Sequence, residues 1–260
     1  MPQIAGLRGV MPDAARLAAV IAAPLVGGLA SGALVDRGGR DPGRSVYRYH
    51  QLFAGPAGRT FTRKNLICAV RLSPWSEGNI RPHEATTPAL REAELARIRA
   101  DRGHVAPFLA GFRDPPQEVE RLLRKSEGGR PNLDVTTADG TIHRVWRVQD
   151  AELLGKLRHY FAPKKLHVLE GHDRYEAMLA YRDELATSAS LTMYSSANYG
   201  LMCLTNFDDP ALRVAPPVTL EQVHHTVELG ATLPAGSTVF VPPLAAGLVS
   251  AIIDRDEDLV

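Results

Sequence analysis

Residues Leu166 to Leu169 form a short apolar run, and after Glu170 a single glycine, Gly171, leads into a sequence with helical character from Arg174 to about Leu185. A glycine between strand and helix lets backbone N–H groups converge at the helix N-terminus, where the macrodipole favours an anion. His172 and Arg174 add side-chain donors suited to phosphate. The junction therefore predicts a strand–turn–helix unit and, at its turn, a candidate anion site.

The elements around it do not alternate regularly. Tyr47 to Phe53 and Leu66 to Leu72 read as strands with a turn over Ala54 to Arg59, and Val105 to Phe112 and Thr141 to Val148 as further strands. Ala138-Asp139-Gly140 is a hairpin signal before the last of these. Helices are expected over Thr87 to Arg102, Pro116 to Lys125 and Ala151 to Tyr160, with a strand over Tyr199 to Leu204, a helix near Leu220 to Leu229 and a final strand over Thr238 to Val241. The Gly-rich polar stretch Asp36 to Arg44 is expected to lack regular structure. Strands and helices in this order predict an α+β fold rather than a doubly wound sheet. Gly27-Gly28 followed by Gly32 lacks the spacing and the acidic partner of a phosphate or dinucleotide fingerprint.

Composition narrows the function classes. The 30 Lys and Arg residues against 29 Asp and Glu leave a net charge of +1, so no global field recruits nucleic acid, a membrane surface or an acidic partner. Cys68 and Cys203 stand alone without zinc spacing, and Cys203 lies in an apolar run, so a buried inert thiol and a reducing cytoplasm are expected. Leu17 to Val35 carries no charge over a length that could span a bilayer, but Pro24, Gly27, Gly28 and Gly32 break it, and a buried strand with an adjoining loop is expected there. His224-His225 has no Asp or Cys at ligand spacing, Ser195-Ser196 lacks a nucleophile elbow, and Trp75 and Trp146 read as packing residues.

The strand followed by Gly171-His172-Asp173-Arg174-Tyr175-Glu176-Ala177 resembles the phosphate-side motif of the ParB/sulfiredoxin-like superfamily, which includes partition proteins, sulfiredoxins and free serine kinases. Ile4 to Arg8, Val20-Ile21-Ala22, Tyr47-Arg48-Tyr49, Ile80-Arg81-Pro82-His83-Glu84-Ala85-Thr86, Val145-Trp146 and the ending from Ser237 to Val249 look like the bacterial domain of unknown function 1015 family, a branch of that superfamily. Gly171 stands where sulfiredoxins carry their catalytic cysteine, so sulfiredoxin chemistry is not expected.

The resemblance implies a ParB/sulfiredoxin-like nucleotide-binding core over residues 78–205, a strand-rich segment over 1–77 before it and a helix and strand element over 206–260 after it. It implies a cytoplasmic kinase that phosphorylates the hydroxyl of a small amino acid such as free serine, with Glu84 as general base. His83, Gly171, His172 and Arg174 would hold ATP or ADP, and Glu170 and Asp173 would serve Mg²⁺. The partners so implied are a nucleotide and a small hydroxy amino acid, with neither nucleic acid nor membrane.

The alternative is a nucleotide-binding or partner-binding module with impaired catalysis, and departures from the family pattern motivate it. Asp173 stands where the family carries a second histidine, Ala23-Pro24-Leu25-Val26 replaces Pro-Pro-Tyr-Asp, and a Pro-Thr-His-Arg box near Ala215 to Val218 is missing, with the long segment that follows it. Glu170, Asp173 and Glu176 recur every three residues around the turn, so an anion there meets three carboxylates unless cations offset them.

Overall fold

A computed structural model describes residues 4–5, 7–10, 40–54, 59–83, 85–101, 107–136, 140–188, 190–193 and 195–209. Ten strands form one mixed sheet: β1 (Ile4–Ala5), β2 (Leu7–Val10), β3 (Arg40–Ala54), β4 (Thr60–Arg71), β5 (Ile80–Arg81), β6 (Phe108–Phe112), β7 (Leu133–Thr136), β8 (Ile142–Val148), β9 (Leu166–Val168) and β10 (Tyr199–Asn206). The helices are α1 (Pro88–Asp101), α2 (Glu118–Leu123), α3 (Ala151–Phe161) and α4 (His172–Ser188). The sheet order is β5-β9-β6-β10-β4-β3-β8-β7, with β1 against β4 and β2 against β3. The fold is α+β, and the strands before residue 78 share one layer with those after it.

The centre of the sheet is buried on both faces, which explains why Asn65 through Val70 on β4 are all buried instead of alternating. On one face Leu66, Cys68, Val70, Phe108, Phe112, Met202 and Leu204 join a cluster with helix residues Leu95, Ile98, Leu123, Leu157, Phe161, Tyr175 and Met178. On the other, Tyr47, Tyr49, Ile67, Leu109 and Cys203 are also buried.

Helix patterning accounts for the first face. Leu157 and Phe161, four residues apart on α3, are both fully buried, and each contributes roughly 1.5–3 kcal/mol by leaving water. The α3 N-terminus is set by Asp150, whose carboxylate accepts the Leu153 N–H at 2.8 Å. Among the α1 residues whose side chains are described, Leu95 and Ile98 are the buried ones, so the helix lies on the core along a narrow stripe.

The structure corrects several local expectations. Arg40 to Arg44, expected without regular structure, is strand: Asp41 pairs with Gly9 and Arg40 with Val10. A partner strand satisfies that backbone, and pairing overrides a composition poor in strand formers. The helix expected from Arg174 begins at His172. The pattern also misses β7, which pairs with β8 from Leu133↔Val145 to Thr136↔Ile142. Leu17 to Val35, His224-His225, the helix near Leu220 to Leu229 and the strand over Thr238 to Val241 lie outside the described residues. Among the described residues no helix is long and apolar enough to cross a membrane.

Candidate functional site

The Gly171 turn sits where the carboxyl ends of β9 and β5 meet the amino end of β6: Ile80 pairs with Leu166, Ala110 with Val168, and the Leu169 and Glu170 N–H groups both donate to the Leu109 carbonyl. Gly171 has φ +88°, a left-handed conformation that favours glycine. A Cβ there would stand 2.8 Å from Cβ of Phe108. Its carbonyl accepts the Tyr175 N–H at 2.9 Å, so α4 starts directly from the turn.

His172 and His83 are brought together. The His83 backbone N–H donates to Nε2 of His172 at 3.3 Å, and the two rings meet edge to face with centroids 4.5 Å apart. Nδ1 of His83 lies 2.7 Å from the Val168 carbonyl, which can only accept, so Nδ1 carries the proton. By the same reasoning Nε2 of His172 is unprotonated. His172 is 1% exposed, and its ring packs against those of His83 and Trp75.

The first turn of α4 also holds the segment around Glu84. Asp173 accepts the Thr87 N–H through Oδ1 at 2.6 Å, which places a carboxylate at the start of α1. Glu176 accepts from Nε1 of Trp75 at 2.9 Å and Oγ1 of Thr86 at 2.8 Å, with Arg91 3.5 Å away. Burial pushes the Glu176 carboxyl up, but these three donors together hold it below the usual carboxylate range. Trp75 stacks on Tyr175 with centroids 4.2 Å apart, a packing role as expected from the sequence. Glu84 itself lies outside the described residues, while His83 before it and Thr86 after it are both tied to α4.

Arg174 points to α1. Its Nε is 3.3 Å from Oε2 of Glu94 and its Nη2 is 3.5 Å from Oε1. Nothing in the sequence flags this pair, because its members are 80 residues apart. Burial pushes the Arg63 guanidinium down, opposed by the Tyr49, Cys203 and Glu170 groups near it. Among the described residues no group of three or more His, Cys, Asp or Glu is placed to hold a metal ion.

Two other features lie away from the turn. Cys68 and Cys203 are buried free thiols, and burial pushes Cys203 up to about 12, so it stays protonated. A small cleft of about 20 Å³ opens toward the carboxyl ends of β6 and β10, lined by Arg48, Lys64, Asp114, Gln117, Glu120 and Asn206. The Gly171 turn lies toward the opposite ends of those strands.

What the turn can do chemically follows from these parts. It offers N–H groups at the amino end of α4, a glycine packed closely against Phe108, and one guanidinium in the first turn of the helix, engaged with Glu94. Neither curated proteins nor solved structures yield a match to this chain. A family model does: that of "Protein of unknown function (DUF1015)" matches residues 28–217. The chain belongs to that family.

Proposed function

We propose that this protein is a nucleotide-dependent kinase that phosphorylates the hydroxyl of a small amino acid such as free serine. The observation that carries the reading is the union of two distant segments: the box at residues 80–87 and the turn at Gly171 are joined through His83–His172, Thr86–Glu176 and Thr87–Asp173. A kinase needs this juxtaposition, because phosphoryl transfer depends chiefly on holding an oriented hydroxyl against a neutralised phosphate.

In this reading the N–H groups of the turn and Arg174 bind the phosphates of ATP or ADP. Mg²⁺ arrives with the nucleotide, since it is commonly held by one or two carboxylates plus substrate phosphates. The acceptor hydroxyl oxygen forms the new bond to phosphorus as the bond to the leaving nucleotide breaks, and its proton passes to Glu84. The engagement of Arg174 by Glu94 takes up the cation on which phosphate binding depends, and so favours a second reading, a nucleotide-binding or partner-binding module with impaired catalysis.

The test is calorimetric titration of ADP and ATP with Mg²⁺, paired with an assay of transfer to serine. Arg174→Ala should weaken binding by about 1.5–3 kcal/mol. Glu84→Gln should keep binding and lower transfer about 10²–10⁴-fold. Full affinity in a folded Arg174→Ala variant would remove the site, and binding without transfer in the wild type would select the second reading.

A further inference from the structure

Resting on the anion site proposed above, we infer that Glu94 is a specificity-determining residue of that site, a built-in carboxylate competitor for Arg174. The guanidinium presents Nε and Nη2 to the two oxygens of Glu94 at 3.3 and 3.5 Å, the same fork with which arginine grips a phosphate. A ligand in the turn gains that fork only by displacing the carboxylate. Glu94 has somewhere to go, because Nη1 of Arg97 lies 3.6 Å from its Oε2. Both members of the pair remain about one-fifth exposed, at 22% for Arg174 and 19% for Glu94, so an incoming anion can reach them. Their contacts are long for charge-assisted hydrogen bonds, which fits a pair that exchanges partners.

The consequence is a threshold on ligand chemistry. A singly charged carboxylate offers Arg174 no more than Glu94 already does. A phosphate group with two negative charges, or a di- or triphosphate chain that also engages the turn, offers more. Glu94 thereby lowers absolute affinity and raises discrimination in favour of polyphosphates over carboxylates.

Calorimetric titration with inorganic pyrophosphate tests this on the full chain. Glu94→Gln should tighten binding about three- to tenfold, with Glu94→Ala in the same direction should the glutamine variant lose stability. Glu92→Gln, which removes one charge from the same helix at a residue paired with Arg99 instead, should change affinity less than about twofold. Unchanged affinity in both Glu94 variants, or an equal gain in Glu92→Gln, overturns the inference. Arg174→Ala separates its failure from that of the site: if that variant binds pyrophosphate as the wild type does, the site itself is wrong; if it loses binding while the Glu94 variants do nothing, only the role of Glu94 falls.

Discussion

At the scale of single residues Gly171 bears the tightest constraint. Its φ of +88° and the closeness of Phe108 act together, because a side chain there is strained by its own backbone and also meets the Phe108 Cβ. Gly171→Ala should therefore destabilise the protein by about 1–3 kcal/mol and shift the start of α4. Denaturant unfolding of the variant checks the first part, and loss of nucleotide binding beyond the loss of stability checks the second. A variant as stable as the wild type would mean that the turn relaxes without cost. His83 and His172 show a complementary constraint, in which each ring's proton is assigned by a backbone group: the Val168 carbonyl for one and the His83 N–H for the other.

At the scale of elements, the clasp between the first turn of α4 and the start of α1 joins the two segments on which the proposed site depends. The Asp173 carboxylate caps the approach to α1 by accepting the Thr87 N–H. This gives Asp173 a structural role in holding the start of α1 against the turn. Asp173→Ala should cost about 0.5–2 kcal/mol, as the loss of a capping acceptor does. It should also lower nucleotide affinity, because the box is no longer held in place. Thermal unfolding and titration of this variant beside Asp173→Asn make the check: the asparagine keeps an acceptor and should recover most of the stability. Equal losses in both variants would show that the charge matters, not the hydrogen bond.

For the molecule as a whole, a charged network clamps α2 and the helical turn that follows it onto the sheet. Arg48, 2% exposed, is paired with Glu120 and with Glu127, His50 lies 3.1 Å from Glu127, and Lys64 also reaches Glu120. Burial, helped by the neighbouring Arg48 charge, pushes His50 down to about 4. A histidine lowered in this way is neutral in the folded state at pH values where the unfolded chain binds a proton. Its stabilising contribution is present above about pH 6.5 and is lost as pH falls toward about 4, by an amount on the order of 1–3 kcal/mol. His50→Gln should flatten that part of the stability profile relative to wild type. Thermal unfolding of both proteins between pH 7 and pH 4 makes the comparison, and parallel profiles would place the acid sensitivity elsewhere.

Much of this molecule was legible from local pattern. The β9 strand, the Gly171 turn and α4 were readable because one apolar run, one glycine and one helical stretch adjoin in the chain, and local backbone preferences suffice to connect them. The helices α1, α2 and α3 were readable for the same reason. What the sequence could not disclose is what pairs across distance. Arg40 to Arg44 became strand because β2 lies beside it, and Arg174 turned to Glu94 because α1 and α4 pack together. The family resemblance singled out Glu84 and the turn as separate motifs. Only the tertiary structure brought the segments flanking Glu84 to the first turn of α4, through hydrogen bonds spanning more than 80 residues, which local propensity does not encode.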